Sequence, residues 1–375
     1  MPSRTVPALI AFSTCMAVSG VLRAESFLVD NLGNSGEGTL REAILSANAN
    51  PGSDTIEFNA GLNGTIDLSS GLPQLTDDVE ITGLGAEVIT ISGNYMHQPC
   101  SVSSGSTVTL AGLTIADGRS SIGGAIGNEG SLTVADCVLT NNSATSDGGA
   151  IDNNGGSLIV SQSRLTGNYA ESSVGGGIFN DGGTVHIIES TFTGNAAGFS
   201  GGAVYNQDGS VMIERSTFST NLAGEYGGAI ENFVFENQET LTIVVNSTLS
   251  ENIAGDAGGG IDNFGGEASV EFSTLTENAA SSGGGIANDG GSVRNKNTLV
   301  VKSTAGGNCV NLGGGTFTAL GVNFATDANC AEFTVTTAGE INLGPLANNG
   351  GPTQTHALLG GSVAIDAALD CTLSD

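Results

Sequence analysis

The sequence predicts an all-β protein: a single-stranded, right-handed parallel β-helix with three short strands per coil and a short capping helix near the N-terminus. Three observations predict it. A motif recurs at a period near 26 residues, β-branched stretches of alternating polarity follow each copy, and no stretch among the copies has a sustained helical period. Units of this length cannot bury an apolar face alone, so they stack on their neighbours as a solenoid.

The repeated motif is Gly-Gly, a small residue, then Ile or Val, with an Asn five positions after the first Gly. Its copies begin at Gly123, Gly148, Gly175, Gly201, Gly227, Gly258 and Gly283, in steps of 25, 27, 26, 26, 31 and 25 residues. The matching asparagines are Asn128, Asn153, Asn180, Asn206, Asn232, Asn263 and Asn288. Stacked coils bring equivalent residues about 4.8 Å apart, which predicts an inward ladder of amide hydrogen bonds. The glycines predict places where the backbone bends or packs too closely for a Cβ.

Each motif is followed by a turn and by strand-like stretches. In residues 131–134, Leu132 and Val134 fall on one face of a period-two pattern. A second stretch ends in an apolar residue, and an Asn follows three positions later in six coils: Asn142, Asn168, Asn195, Asn221, Asn252 and Asn278. Three short strands and three turns per unit match a parallel β-helix, whose connections are right-handed by default.

Composition excludes two classes of partner. The 375 residues hold only 9 Lys and Arg against 38 Asp and Glu, a formal net charge of −29. A chain with so few basic residues cannot neutralise nucleic acid or an anionic membrane surface. The same excess of acidic residues favours solubility and the binding of divalent cations.

The first 24 residues are predicted to be a secretory signal peptide. Arg4 precedes an apolar run from Val6 to Val21, and a small residue, Ala24, ends the segment. A lipoprotein signal ending at Cys15 is the alternative, but the residues before Cys15 fit it poorly. No later stretch is long and apolar enough to span a bilayer as a helix, so we expect a secreted or cell-surface protein.

Export also permits disulfides. Removal of residues 1–24 leaves five cysteines, so at least one stays unpaired. Cys309 and Cys330 bracket a Gly-rich stretch and are the predicted pair. Cys137 takes a position that other coils fill with serine, which predicts a small buried residue.

Residues 39–44, Thr-Leu-Arg-Glu-Ala-Ile, resemble the N-terminal CSLREA element of exported β-helix proteins, with Gly-Thr in place of Cys-Ser. Within the predicted cap, residues 25–60, the segment 40–49 is the one convincing helix, because Leu40, Ala43, Ile44 and Ala47 share a face. Such a helix would cover the open edge of the first coil.

Residues 343–359 resemble the choice-of-anchor Q domain, which places the C-terminal region at 306–375. The repeats of residues 61–305, with Gly-Gly-Ala-Ile and Phe-x-x-Asn, are similar to polymorphic outer-membrane protein repeats of surface adhesins. These resemblances imply an exported, surface-associated β-helix, held at the outer membrane if the source is Gram-negative. They imply no reaction.

Candidate ligand residues stand four positions after each first Gly, and they are expected to point outward because the preceding Ile or Val points inward. They include Asp152, Phe179, Tyr205, Glu231 and Asp262. Phe233 and Phe264 lie two positions further along neighbouring coils. Aromatic rings beside carboxylates suit a sugar chain. The alternative is that this is the wet face that any solenoid has.

Stacked acids raise the question of a metal. Glu231 with Asp262, and Glu251 with Glu277, place like charges on adjacent coils. Calcium could bridge them; simple solvation with slightly raised pKa values is the alternative. We predict no other cofactor, since the cysteines lack the spacing of metal ligands.

The predicted function is non-catalytic: an adhesin-like binder of a glycan or host-cell ligand, or a structural scaffold. The alternative is a polysaccharide-acting enzyme, a lyase, epimerase or glycosidase, with its site on one strand face. No catalytic residue is assigned, because no basic residue stands beside a break in the repeat that also gathers His and acid.

Overall fold

A computed structural model describes residues 24–235, 238–370 and 372–373. It confirms the predicted right-handed parallel β-helix. The predicted signal peptide lies outside the described residues, apart from Ala24, and stays a prediction. Successive coils add strands to four parallel sheets, here called sheets I to IV in the order in which the chain visits them, and the coils between residues 119 and 254 contribute to all four.

Sheet I carries the motif asparagines. Its strands in the described part of the chain are Cys100–Val102, Ile126–Asn128, Ile151–Asn154, Ile178–Asp181, Val204–Gln207, Ile230–Phe233, Ile261–Phe264, Ile286–Asp289 and Cys309–Leu312. Sheet II follows each motif. Its strands are Ser26–Val29, Asp54–Phe58, Val79–Thr82, Thr107–Ala111, Ser131–Ala135, Ser157–Ser161, Thr184–Ile188, Ser210–Glu214, Leu241–Val245, Glu267–Glu271, Ser292–Lys296 and Thr316–Leu320.

In the repeat coils, sheet III follows sheet II after a bend of two residues. Its strands are Gly64–Asp67, Ile89–Ser92, Thr114–Ala116, Val138–Thr140, Arg164–Thr166, Thr191–Thr193, Thr217–Ser219, Thr248–Ser250, Thr274–Thr276, Leu299–Val301, Phe324–Ala325 and Thr334–Val335. Sheet IV consists of two-residue strands. They are Arg119–Ser120, Ser143–Ala144, Tyr169–Ala170, Ala196–Ala197, Leu222–Ala223 and Ile253–Ala254.

Sheet IV gives the repeat coils a fourth strand, where the sequence predicts three. A strand of two residues is too short for polar alternation to appear in the sequence. The register elsewhere follows the motif, since Ile126 pairs with Ile151 and Asn128 with Asn153. Equivalent residues therefore form columns along the long axis.

The two glycines of each motif are required for different structural reasons. The first Gly of every motif has φ between +58° and +69°, a left-handed conformation that side chains with a Cβ disfavour. A Cβ on the second Gly would lie 2.2–2.4 Å from a carbonyl oxygen of the next coil. The coils could not approach each other at this corner with any other residue.

Two ladders of asparagine cross the interior. In the sheet I ladder, from Asn128 to Asn288, each Nδ2 donates to the Oδ1 of the next Asn over 2.6–2.9 Å. The ladder from Asn142 to Asn278 repeats this over 2.9–3.0 Å. All are buried. Each amide therefore makes, with neighbouring amides and turn carbonyls, the hydrogen bonds that water would otherwise supply.

The apolar core lies between the sheets, with aliphatic columns and one stacked ring pair, Phe192 on Phe218 at 4.6 Å. At the N-terminal end the helix Leu40–Ala49 packs against the strands Ser26–Val29 and Asp54–Phe58. Its buried residues are the four that the sequence predicts, Leu40, Ala43, Ile44 and Ala47. Thr39 caps this helix by accepting a hydrogen bond from the backbone N–H of Glu42.

The C-terminal segment folds back along the outside of sheet III. After the short helix Ala338–Ile341, the strands Leu343–Ala347 and Thr355–Leu358 form an antiparallel hairpin. The Thr217 hydroxyl donates to the Gln354 carbonyl over 2.5 Å, and Ser250 Oγ lies 2.9 Å from Nε2 of the buried His356. A disulfide joins Cys309 and Cys330.

In the part of the chain that the structure describes, no helix is long and apolar enough to cross a membrane.

Candidate functional site

The five predicted ligand residues stand side by side on the outer face of sheet I. Asp152 pairs with Phe179, Phe179 with Tyr205, Tyr205 with Glu231, and Glu231 with Asp262 on successive strands. The motif spacing fixes this register, because each residue directly precedes an Asn of the sheet I ladder.

The expected open, wet face is wrong for most of this column. Asp152, Tyr205, Glu231 and Asp262 keep only 2–6% of their surface exposed. Neighbouring aromatic rings cover Tyr205, which contacts both Phe179 and Phe233 at centroid distances of 5.8 and 5.9 Å. The column is thus outward-facing and yet largely buried.

Beside this column the surface closes into a groove of about 310 Å³. The described residues that line it are Phe199, Ser200, Tyr205, Tyr226, Glu231, Phe233, Ala257, Asp262, Phe264, Asp289 and Leu312. We call this feature the aromatic groove. Phe199 and Tyr226 form one wall in edge-to-face contact at 6.0 Å, and Phe233 and Phe264 form the other, stacked at 5.2 Å.

The two walls come from different parts of the coil. Phe199 and Tyr226 belong to the turns just before the first Gly of two consecutive motifs, whereas Phe233 and Phe264 end two consecutive strands of sheet I. Because the coils are in register, each ring meets its counterpart one coil away. The groove therefore runs along the axis of the β-helix.

Glu231 and Asp262 form a carboxyl pair between these walls. Burial, the charge of Asp262 and a hydrogen bond with it raise the pKa of Glu231 well above its ordinary value. Burial raises the pKa of Asp262 to about 7, although the hydrogen bond from Glu231 opposes this rise. Two acids in contact cannot both ionise cheaply, and the hydrogen bond between them raises the pKa of Glu231 while it lowers that of Asp262.

One oxygen of this pair lacks a partner. Among the described residues, nothing makes a hydrogen bond with Glu231 Oε2, which is buried. A buried polar atom left in this state costs about 1–3 kcal/mol. The groove thus contains an unsatisfied polar group that a ligand could satisfy.

Asp152 is not part of the groove. It lies three coils before Glu231, and burial together with the charges of Asp147, Asp181 and Glu129 raises its pKa to about 7. Phe179 also stands outside and contacts the groove only through Tyr205. Of the five predicted residues, the structure gathers Tyr205, Glu231 and Asp262.

Sequence reasoning missed one wall of the groove. Phe199, Tyr226, Asp289 and Leu312 lie outside the predicted column. Aligning the repeats on their glycines would have placed Phe199 and Tyr226 one or two residues before the motif in adjacent coils, which is the available signal.

The structure offers no ready metal centre in residues 24–235, 238–370 and 372–373: no three or more His, Cys, Asp or Glu side chains are grouped to hold an ion. Glu277, one of the predicted stacked acids, instead forms an ion pair with Lys302. Calcium at Glu231 and Asp262 stays a prediction.

Comparisons with known proteins support the fold class. A sequence profile of the Chlamydia polymorphic membrane protein repeat matches residues 136–154. No curated protein is significantly similar to this chain in sequence.

Solved structures that resemble the chain share little sequence with it. A tailspike protein of the E. coli bacteriophage HK620 matches with 13% identity and a TM-score of 0.42 over 77% of this chain, which spans 63% of the tailspike chain. The A-module of the Azotobacter vinelandii mannuronan C-5 epimerase AlgE6 matches with 15% identity and a TM-score of 0.38, over 80% of this chain and 85% of that one. A mannuronic acid-specific polysaccharide lyase from human gut microbiota matches with 8% identity and a TM-score of 0.35, over 84% and 91%.

Proposed function

We propose that this protein is a surface or extracellular β-helix that binds a sugar chain in the aromatic groove. The observation that carries the proposal is the groove itself, in which four rings form two walls beside a buried carboxyl pair. The match to a membrane-protein repeat and the resemblance of both ends to exported β-helix proteins support the location.

The chemistry of the groove fits a saccharide. Sugar rings have apolar faces that pack on aromatic rings, and their hydroxyls need acceptors. Phe264 and Phe199 offer exposed ring surface, since 43% and 42% of their surfaces are accessible. Glu231 Oε2 offers a free acceptor at hydrogen-bonding depth. Strands of sheet I hold Glu231 and Phe264 in place, which lowers the entropic cost of binding.

A glycan array followed by calorimetry tests this function. The variant Phe199→Ala with Phe264→Ala removes one ring from each wall and should abolish binding while leaving the melting temperature nearly unchanged. Tyr169→Ala is the matched control, because Tyr169 is an exposed aromatic residue of sheet IV, away from the groove. Binding that survives the double variant would rule out the groove as the site.

A second candidate is glycoside hydrolysis, for which the carboxyl pair is the specific support. Two neighbouring carboxyls whose pKa values differ can serve as general acid and base, although Glu231 and Asp262 lie in closer contact than the roughly 5–9.5 Å that separates the two carboxyls of most glycosidases. Incubation with neutral and acidic polysaccharides, with and without calcium, would reveal this activity as release of reducing ends. Loss of that release in Asp262→Asn, with binding retained, would favour the enzyme over the non-catalytic binder.

A further inference from the structure

The aromatic groove has an uncompensated negative character. It is lined by the carboxyls of Glu231, Asp262 and Asp289, and none of its described lining residues is Lys, Arg or His. Glu225 and Asp256 add to this field, since burial and their charges, with those of Asp262 and Glu231, raise the pKa of Tyr226. An anionic ligand such as a uronate would be repelled here.

The rings around these acids favour positive charge for an independent reason. The face of an aromatic ring carries negative electrostatic potential, and it attracts ammonium groups placed within about 6 Å of its centroid. Tyr205, Tyr226, Phe199, Phe233 and Phe264 all line the groove. Several rings closing around one space with acids between them form the kind of cage that recognises ammonium ligands.

The carboxyl pair lacks what a cation would supply. Both members have only acceptor oxygens once ionised, so their contact needs a donor or a cation. Glu231 is 2% exposed, and its Oε2 has no hydrogen-bond partner in the described part of the chain. An ammonium group brings up to three N–H donors together with the compensating charge.

We propose that the aromatic groove recognises an organic ammonium group, and that this group belongs to a sugar with a free amine, such as glucosamine within a glycan. This inference rests on the proposed sugar binding and adds the class of sugar. The ammonium would donate to Glu231 Oε2 and to the Asp262 carboxylate, while the rings enclose it and the adjoining sugar face packs on a wall. N-acetylation of the amine removes the charge, so acetylated sugars should bind more weakly.

The test compares two probes that differ only in this group: a trimer of glucosamine and a trimer of N-acetylglucosamine, titrated by calorimetry at pH 7 and 150 mM salt. We expect the glucosamine trimer to bind at least about tenfold more tightly, the equivalent of one desolvated ammonium contact. Equal or weaker binding than that of the acetylated trimer overturns the inference but leaves sugar binding intact. If neither these trimers nor any glycan on the array binds, the proposed function itself fails.

A general attraction must be separated from a specific site, because a chain with a net charge of −29 attracts any polycation. The variant Glu231→Gln with Asp262→Asn replaces both carboxyls of the pair in the groove by neutral amides. Glu57→Gln with Glu80→Gln removes two charges from exposed positions of sheet II. The first should weaken glucosamine-trimer binding at least about tenfold and the second less than about twofold; equal losses in both overturn the inference.

A third titration tests whether the ammonium group must be attached to a sugar. Choline chloride is titrated as a sugar-free probe under the same conditions. Choline binding that is weaker than trimer binding, and that competes with it, supports a site for a sugar-borne ammonium. Choline binding without trimer binding overturns the amino sugar as the ligand. Melting temperatures of all variants establish that each one is folded.

Discussion

Both faces of sheet I carry buried polar side chains. The inward side chains satisfy one another's hydrogen bonds, whereas the outward ones do so only in part. Inward-facing Asn232 and Asn263 hydrogen-bond to each other and to further asparagines, and none of their surface is exposed. Outward-facing Glu231 and Asp262, their immediate neighbours in sequence, are acids whose pKa values are raised by burial, and Oε2 of Glu231 is left unpaired among the described residues.

The difference lies in the chemistry of the side chains. An amide has a donor and an acceptor, so it can satisfy an identical neighbour on either side without limit. A carboxylate has only acceptors, so a stack of carboxylates needs protons, cations or a ligand to complete it. The inward column therefore holds the fold together, whereas the outward column depends on what binds to it.

The variant with the largest expected effect on stability interrupts the inward asparagine ladder. Asn180→Ala removes an acceptor for Asn153 and donors to Gly183 and Asn206. We expect the free energy of unfolding, measured in urea, to fall by about 3 kcal/mol, because buried partners lose their hydrogen bonds. Exposed Asn154→Ala is the control and should change it by less than about 0.5 kcal/mol. Similar losses of unfolding free energy in both variants would mean that the buried ladder stabilises the fold no more than an exposed asparagine does.

The next effect is a pH dependence that comes from the outward column. The pKa values of Asp152 and Asp262 are raised from 3.8 to about 7 in the folded chain, so the folded state holds their protons more tightly than the unfolded state. This stabilisation is complete below about pH 4 and disappears as the pH rises through 7.

We expect the free energy of unfolding to drop between pH 4 and pH 8, because both carboxyls lose protons that the folded chain holds more tightly than the unfolded chain. Urea melts across this range measure it. Asp152→Asn should flatten the profile, whereas exposed Glu57→Gln should leave it unchanged. A profile that is equally steep in wild type and Asp152→Asn would contradict the raised pKa of Asp152.

A smaller effect of opposite sign is expected for Glu231→Gln. The amide can donate permanently to Asp262, and it carries no charge that burial would penalise. We expect the free energy of unfolding at pH 8 to rise by about 1 kcal/mol. A gain of stability in Glu231→Gln beside a loss in Asn180→Ala would confirm that the two faces differ. A loss of stability in Glu231→Gln would instead show that the acid pair also supports the fold.

The smallest effect on stability belongs to the rim of the groove. Phe264→Ala removes a half-exposed ring that stacks on Phe233 at 5.2 Å. Such a contact contributes at most about 1 kcal/mol, so the melting temperature should move only slightly while sugar binding is lost. A large drop in melting temperature would instead assign Phe264 to the core.

Much of the fold could be predicted because its chemistry repeats. The spacing of Gly123, Gly148 and their equivalents sets the register, and Asn128 to Asn288 fall into one ladder as expected. Sheet IV escaped prediction because its strands are two residues long. The hairpin of Leu343–Ala347 and Thr355–Leu358 escaped because its contacts with Thr217 and Ser250 span more than a hundred residues.

The candidate site was predicted only in part. Tyr205, Glu231 and Asp262 were found because they share one position of the motif. Phe199 and Tyr226 were not, since they lie in turns where nothing in the local pattern indicates what they face. Burial of the acids follows from those rings and from Phe233, which is why an open surface was expected in error.

The sequence by itself determined the stacking of coils, the glycine corners, the asparagine ladder and the in-register column of acids and rings, because each depends on residues at a fixed spacing and on the short distance between adjacent coils. Only the tertiary structure decided that two walls enclose part of that column, that Glu231 and Asp262 are buried together, and that Asp152 stays apart. Those properties depend on which side chains from different turns meet across space, and on how much water they exclude.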